Sequence, residues 1–342
     1  MKITNTLLLL LLLTSSATAA HRAIIKQEFI FRKAPFPRCH AATIVESNGM
    51  LVVAWFGGKH EKNPDVGIWL SRKVRGRWSR PVEVVNGVQS ETLRYPCWNP
   101  VLYQASKKRL LLFYKVGPSP RKWWGMLTES SDNGKTWSKP KRLPKDILGP
   151  IKNKPVMLPN GQLLCGSSTE NQGWRVHFER TGDFGKTWKR TKALNDGRAI
   201  GAIQPTILLH DKGKRLQALG RSRQGRIWET WSSDGGVTWD DLKLINLPNP
   251  NAGFDAVTLR DQKLHLMVYN HTRRGRSPLN LAATVDGKKW YPALTLETAR
   301  GEFSYPAIIQ TSNGKVHIVY THRRLRIKHV VIDPKRLRLK IR

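Results

Sequence analysis

The chain has 342 residues, of which 39% are hydrophobic and 13 are tryptophan. This composition is typical of a globular protein and excludes an intrinsically disordered chain. Three cysteines are too few for a disulfide framework, and a net charge of +35 predicts anionic partners.

The positive charge comes from 59 Lys and Arg against 24 Asp and Glu, and it is spread along the whole chain. No zinc-finger, RNA-recognition or helix-turn-helix pattern accompanies it, so we expect no nucleic-acid partner. Anionic carbohydrate is the expected partner, with peripheral attraction to an anionic membrane surface as a further consequence of the charge. We expect a monomer.

Residues 1–19 have the features of a signal peptide: a lysine, an uninterrupted run of leucines from Leu7 to Leu13, and the small residues Ala17-Thr18-Ala19. The leucine run is shorter than the roughly 20 apolar residues of a membrane-spanning helix. The sequence therefore predicts export to the periplasm or secretion.

One short phrase recurs along the chain. It occurs as "SSDNGKTWSK", "TGDFGKTWKR", "SSDGGVTWDD" and a shortened "TVDGKKWY". Each copy contains one tryptophan, and these four tryptophans are spaced 51 residues apart: Trp137, Trp188, Trp239 and Trp290. A degenerate copy ends at Trp78. A repeat of about fifty residues is typical of propellers, solenoids and arrays, in which each unit covers its neighbour. Residues 20–342 are therefore predicted to form a single domain.

Each repeat contains short apolar strands separated by Gly, Pro and Asn turns, beginning with "CHAATIVESNGMLVVAWFGG" and ending with "YPAIIQTSNGKVHIVYTH". Six such units predict an all-β, six-bladed β-propeller of four-stranded antiparallel blades, with little α-helix. The sixth unit has no closing strand of its own. We expect "AIIKQEFIF", near residues 24 to 31, to supply it, so that no blade edge stays unpaired.

Cys39 and Cys97 each begin an apolar strand in adjacent units. A single bridge between them and three half-buried thiols are both compatible with the sequence.

The repeated turn, S-x-D-x-G-x-T-W, is predicted to be structural. Its Asp can accept backbone N–H bonds, its Gly can adopt a positive φ, and its Trp can pack between hairpins. Chemistry is therefore expected elsewhere.

The turn is the Asp box, and with it the mature chain resembles the sialidase superfamily. The resemblance implies three arginines from different blades that bind the carboxylate of an acidic sugar. "FPRCHAATIV", "QALGRSR" and "NHTRRGRSPLNLAATVDG" offer Arg38, Arg221 and Arg276. A guanidinium is permanently charged and offers a planar fork to a carboxylate, which suits this task.

The resemblance also implies a tyrosine nucleophile, and "EFSYPAIIQ" offers Tyr305. Where the family has a glutamate as its base, "GAIQPTILL" has Gln204, which cannot accept a proton. Glu170 is the favoured substitute, with Glu229 and Asp255 as alternatives.

A general acid must protonate the leaving oxygen. The loop "WFGGKHEKNPDVGIW" contains Asp65, which we favour, and Glu61.

Further residues are predicted to line the sugar site. These are His40, Gln204, Asp255, Trp98 and Asn99, with Arg121, Trp123, Trp124, Lys152, Asn153 and Lys154 as additional wall. No metal-binding spacing occurs, so we expect neither a metal nor a cofactor.

The leading hypothesis is an exo-acting glycosidase that releases a terminal 2-keto-3-deoxy acid sugar, sialic acid or 3-deoxy-octulosonic acid (Kdo), from glycans or lipopolysaccharide. A non-catalytic propeller that binds anionic glycans is the first alternative, and Gln204 favours it. A polysaccharide lyase is the second, in which His40 and Tyr305 would act as base and acid.

Overall fold

The computed structural model describes residues 21–261 and 263–339. The predicted signal peptide lies outside them. The described chain is all-β and forms six antiparallel sheets, arranged as the predicted six-bladed propeller. Five sheets have four strands, and the remaining sheet has four strands in sequence order and one additional strand. Its helical segments are two single 3₁₀ turns, Asp211–Gly213 and Pro334–Arg336.

The blades follow one another along the chain after a first strand, β1 (Ile24–Phe29). Blade 1 contains β2 (Arg38–Ser47), β3 (Met50–Gly58), β4 (Gly67–Val74), β5 (Arg77–Trp78) and β6 (Val82–Val85). Blade 2 contains β7 (Cys97–Ser106), β8 (Arg109–Val116), β9 (Trp124–Ser130) and β10 (Lys141–Arg142). Blade 3 contains β11 (Val156–Met157), β12 (Leu163–Thr169), β13 (Arg175–Thr181) and β14 (Lys189–Arg190).

The second half of the ring repeats this plan. Blade 4 contains β15 (Ala202–His210), β16 (Arg215–Ser222), β17 (Arg226–Ser232) and β18 (Lys243–Pro248). Blade 5 contains β19 (Asp255–Thr258), β20 (His265–Tyr269), β21 (Leu279–Thr284) and β22 (Tyr291–Glu297). Blade 6 contains β23 (Phe303–Gln310), β24 (Val316–His322) and β25 (Arg326–Ile332).

Strand β1 completes blade 6. It pairs antiparallel with β25, where Phe29 lies opposite Lys328 and Gln27 opposite Val330. The prediction that the strand near residues 24 to 31 closes the ring is confirmed. Pairing removes the exposed edge that β25 would otherwise present.

The Asp boxes join the third and fourth strands of their blades and are held by their own side chains. In the box of blade 4, Asp234 accepts hydrogen bonds from the amide nitrogens of Val237 and Thr238, both at 3.0 Å. The closing Trp239 stacks on Phe178 of blade 3, with ring centroids 3.8 Å apart. The box therefore fixes its turn and also packs one blade on the next.

Apolar side chains from neighbouring blades fill the spaces between the sheets, and Trp55, Trp228 and Phe178 are completely buried there. All three cysteines are free and buried, so Cys39 and Cys97 form no bridge. Among the described residues, no helix has the length and apolar character needed to cross a membrane.

Candidate functional site

The first strands of blades 1 and 2, and those of blades 4, 5, 6 and 1 in turn, contact one another around the ring, and β12 of blade 3 contacts the first strand of blade 4. Four of them are irregular at the same place. The backbone φ is positive at Ala41 (56°), Asn99 (37°), Gln204 (58°) and Tyr305 (50°), and the strand pairing skips there. This conformation is unfavourable for residues with a side chain, and such strain is concentrated at functional sites.

Five side chains meet at one of these bulges. Gln204 of blade 4 places its amide nitrogen 3.5 Å from the hydroxyl of Tyr305 of blade 6. The ring of His40 lies 4.1 Å from the Tyr305 ring, and the guanidinium carbons of Arg221 and Arg276 lie 5.4 and 5.6 Å from it. We call these five residues the phenol cluster.

The phenol cluster contains buried polar atoms without partners. Gln204 and Arg221 are 4% and 8% exposed. Neither the Gln204 Oε1 atom nor the Arg221 Nε atom forms a hydrogen bond within residues 21–261 and 263–339. Buried donors and acceptors are normally paired, so these atoms have capacity for a polar ligand.

The absence of a side chain at Gly253 allows the Gln204 and Tyr305 side chains to pack against the backbone there. A Cβ atom there would lie 3.1 Å from the Gln204 amide oxygen and 3.2 Å from the Tyr305 ring. Any larger residue would push both side chains apart.

His40 is neutral at neutral pH. It is buried, and its Nδ1 atom lies 3.0 Å from the Thr321 hydroxyl. Burial lowers the pKa of His40 well below its usual value, and the charge of Arg324, with those of three further cations, lowers it more. The imidazole beside Tyr305 therefore has an unprotonated ring nitrogen, and burial together with the neighbouring cations disfavours its protonation.

Two arginines are held by shared carboxylates at the edge of the phenol cluster. Glu302 binds Arg276 at 2.9 Å and Arg324 at 2.6 Å, and Arg324 also binds Glu61 at 2.6 Å. Burial acts to raise the pKa of Glu302, but the two guanidinium charges outweigh it and hold this pKa below its usual value. Sequence reasoning missed Arg324 and Glu302.

The predicted arginine of blade 1 occupies a different position from the other two. Arg38 is exposed and lines a pocket of about 210 Å³ together with His40, Glu61 and Arg324. Arg221 and Arg276 thus reach the Tyr305 ring, whereas Arg38 lies at the adjoining pocket.

The two predicted acids also differ. Glu61 lines the same pocket and pairs with Arg324. Asp65 is half-buried, and both of its carboxylate oxygens accept a hydrogen bond from the Lys59 amide at 3.1 Å. Asp65 therefore closes its own loop, while Glu61 faces the pocket.

Lys152 and Asp255 connect the blades around the cluster. The ammonium of Lys152 lies 5.8 Å from the Tyr305 ring and donates to Asn153 and to the carbonyl of Phe254. Burial lowers the pKa of Lys152 to about 7, opposed by the charge of Asp255.

Asp255 is 1% exposed, and its oxygens are occupied. It accepts from the Thr206 hydroxyl at 2.8 Å, Lys154 at 2.9 Å and the Ile308 amide at 3.0 Å. These partners belong to different blades, so the geometry gives Asp255 a positioning role.

Trp98 and Asn99 are buried at the entrance of blade 2. The Trp98 indole donates to the Gly117 carbonyl at 2.9 Å, and the Asn99 amide donates to the Ile151 carbonyl at 3.2 Å. Trp98 is 2% exposed, which gives its ring a packing role in the absence of ligand.

Glu170, the favoured substitute base, approaches the phenol cluster from the side of Arg221. The charge of Arg221 acts on its carboxylate, and the Arg221 guanidinium in turn lies 5.1 Å from the Trp174 ring. Burial raises the pKa of Glu170, and the charge of Arg221 opposes that shift. No hydrogen bond joins Glu170 to Tyr305 within the described ranges. Glu229 instead accepts from Gln217 at 2.9 Å.

Within the part of the chain that the structure describes, no group of three or more His, Cys, Asp or Glu side chains could hold a metal ion.

A six-bladed propeller with Asp boxes, and with arginines gathered around a tyrosine on its innermost strands, is a propeller of the sialidase type. The chain belongs to the family of BNR repeat-like domains, whose family model matches residues 49–318.

Solved structures with the same fold are distant in sequence. A protein of unknown function from Dyadobacter fermentans is 18% identical, with a TM-score of 0.73, over 90% of this chain and 98% of that one. The intramolecular trans-sialidase of Ruminococcus gnavus is 12% identical, with a TM-score of 0.74, over 94% and 100%. The NanB sialidase of Streptococcus pneumoniae is 13% identical, with a TM-score of 0.74, over 91% and 71%. At these identities the similarity establishes the fold.

Proposed function

We propose that the protein is an exo-acting glycosidase that releases a terminal 2-keto-3-deoxy acid sugar, sialic acid or Kdo, from anionic glycans or lipopolysaccharide. The observation that carries this proposal is the Tyr305 ring between the guanidinium groups of Arg221 and Arg276, at 5.4 and 5.6 Å. Fixed guanidinium groups bind the sugar carboxylate and hold the adjacent anomeric carbon near the phenol. Arg324 supplies a third guanidinium beside them.

In the proposed reaction the Tyr305 oxygen forms a bond to the anomeric carbon while the glycosidic C–O bond breaks. The electron pair of that bond goes to the leaving oxygen, which takes a proton from Glu61 or Asp65. Water then attacks the anomeric carbon as the bond from that carbon to the Tyr305 oxygen breaks. The proton that water loses restores the general acid, the phenolate takes its proton back from the base, and the sugar leaves.

A phenol with an ordinary pKa of about 10 must lose its proton to a base as it attacks. We assign this role to His40, because its ring lies 4.1 Å from the Tyr305 ring and the carboxylate of a bound sugar would offset part of the cationic charge that disfavours its protonation. Glu170 meets the cluster only through Trp174 and Arg221, and its predicted role as base remains a second assignment. His40→Gln should lower the rate at least 100-fold while sugar binding is retained, whereas Glu170→Gln should have the smaller effect.

The proposal is tested with the purified mature protein, sialosides and Kdo-containing lipopolysaccharide, with the released keto acid as readout. Tyr305→Phe keeps the ring but removes the nucleophile, so release should fall by about 1000-fold or more. Tyr103→Phe is the matched control and should release sugar at the wild-type rate, because Tyr103 in β7 packs in the apolar cluster shared by blades 2 and 3 and not in the phenol cluster. Undiminished release by Tyr305→Phe would remove Tyr305 from the reaction. Binding of the sugar without release by the wild type would favour the glycan-binding propeller.

A polysaccharide lyase is a second candidate, favoured by the direct contact of His40 and Tyr305. In that reaction a base removes the proton beside the carboxylate and the leaving oxygen is expelled, which creates a carbon–carbon double bond. The arginines would neutralise the carboxylate in the same way. Ultraviolet-absorbing products from an acidic polysaccharide would establish the lyase in place of the hydrolase.

We further propose that the protein is exported and acts as a monomer on glycans outside the cytoplasm. The predicted signal peptide and the net charge of +35 support this setting.

A further inference from the structure

A large cleft opens between blades 2 and 3, separate from the pocket beside His40. It has a volume of about 560 Å³, enough for one or two sugar rings. Five cationic side chains line it: Arg121, Arg142, Lys145, Arg175 and Arg190. We call it the cationic cleft.

The charges of the cationic cleft are not neutralised. Its lining contains two carboxylates, Asp146 and Glu170, against the five cations. None of the five forms an ion pair with a carboxylate within residues 21–261 and 263–339. Arg175 and Arg190 each donate at 3.0 Å to a backbone carbonyl, which fixes the guanidinium without removing its charge. The cleft should therefore attract an anionic group.

The wall of the cleft also contains aromatic rings. The guanidinium of Arg142 lies 4.6 Å from the Trp124 ring, and Trp123 packs at 5.8 Å against the buried Trp98. Both Trp123 and Trp124 are half-buried, so part of each ring can contact the apolar face of a sugar. Charged forks beside half-open aromatic rings suit an acidic sugar better than a small inorganic anion.

The cationic cleft adjoins the phenol cluster. Glu170 lines the cleft and is close enough to Arg221 for that charge to act on the pKa of its carboxyl, and the Arg221 guanidinium lies 5.4 Å from the Tyr305 ring. A glycan with its terminal sugar at Tyr305 can therefore extend toward this cleft.

We propose that the cationic cleft binds a second acidic sugar of the same glycan, so that the preferred substrate carries negative charge on the unit next to the terminal one. This inference rests on the proposed function, because it assigns the terminal sugar to the phenol cluster. A substrate with a neutral second sugar would leave the cleft cations without an ionic partner.

The test measures binding by calorimetry in the Tyr305→Phe background, so that the ligands persist. The ligands are a disaccharide of two sialic acids, with two carboxylates, and sialyllactose, whose second sugar is neutral; a Kdo disaccharide is compared with Kdo linked to heptose in the same way. The test variant is Arg142→Gln/Arg175→Gln. The matched control is Arg77→Gln/Arg80→Gln, which removes the same charge from exposed positions in blade 1.

We expect the diacidic ligand of at least one pair to bind about tenfold more tightly than its monoacidic counterpart. The cleft variant should lose this preference and keep the affinity for the monoacidic ligand, while the control keeps both. Added salt should weaken the preference as well.

Equal affinity of the unsubstituted background protein for both members of each pair, or an unchanged preference in the cleft variant, would overturn the inference. Failure of the wild type to release sugar counts against the proposed function alone, because this test measures equilibrium binding.

Discussion

A single buried carboxylate anchors the segment just before Lys152 and Asn153, two residues near the phenol cluster. Glu179 of blade 3 is completely buried and accepts hydrogen bonds from the amides of Leu148 at 3.0 Å and Gly149 at 2.6 Å. It also binds His177 at 2.8 Å. Because these partners are donors, Glu179→Gln should damage this attachment at nearly constant side-chain volume.

The expected cost follows from the contacts. The amide group of a glutamine keeps one acceptor oxygen but directs its NH₂ group at one of the buried donors. That donor loses its partner, at about 1–3 kcal/mol, and the surviving bonds lose the charge that strengthened them. We expect the free energy of unfolding to fall by about 3 kcal/mol, in the lower range found for broken buried ion pairs.

Urea titration of the wild type and Glu179→Gln measures this difference, provided that the slope of free energy against urea concentration is unchanged. Glu129→Gln is the matched control, because Glu129 pairs with Arg109 at the surface and should cost less than about 1 kcal/mol. The variant should also bind acidic sugars more weakly, since Lys152 lies three residues after Gly149. A change in Glu179→Gln no larger than that in Glu129→Gln would refute the argument.

Three further predictions follow from buried and turn residues. Burial lowers the pKa of His265 to about 4 and that of His317 to about 3, from an ordinary value of 6.5. Their unfolded forms therefore bind protons below pH 6.5 while the folded forms do not, so stability should fall by about 2 kcal/mol per histidine as the pH is lowered to about 5. Urea titrations that gave equal stability across this range would contradict the assignment. Asp234→Ala removes the acceptor of the blade 4 Asp box and should cost about 1–2 kcal/mol by the same measurement, with no loss of sugar release; a larger effect on release than on stability would be evidence against a purely structural turn. Three cysteines are free and buried, namely Cys39, Cys97 and Cys165. A thiol reagent should therefore label none of them in the folded protein and all three after denaturation. Labelling of the native protein would show that at least one thiol is accessible.

Most of the fold was predictable because the sequence repeats the same strand and turn pattern in each blade. The equal spacing of the Asp-box tryptophans revealed the repeat, and the strand at residues 24–29 was predicted from the missing strand of blade 6. Each of these signals is local, and the ring follows once every unit must cover its neighbour.

The site was predictable only in part. Tyr305, Arg221, Arg276 and Gln204 were expected together because the resemblance to sialidases implies a tyrosine, arginines and a base at these positions of the repeats. Arg324 could not be distinguished from the other cations of "RRLRIKHVV", because only its ion pairs with Glu61 and Glu302 set it apart. Those contacts join residues far apart in the chain, and one sequence gives no signal for them.

The cationic cleft was missed for a related reason. Arg121, Trp123 and Trp124 were predicted as wall of the sugar site, but Arg142, Arg175 and Arg190 looked like ordinary surface charge. Their common direction depends on how blades 2 and 3 are placed side by side, which propensity and spacing do not specify.

The pairing of β1 with β25 has a consequence for the order of folding. The strand synthesised first can find its neighbour only after the strand synthesised last has emerged, since Phe29 pairs with Lys328. Until then, five blades can form from local hairpins while the sixth lacks its outer member. The propeller ring thus closes in a final, long-range step. A circular permutant, in which a short peptide joins β25 to β1 and new termini lie between two other blades, should keep every sheet intact.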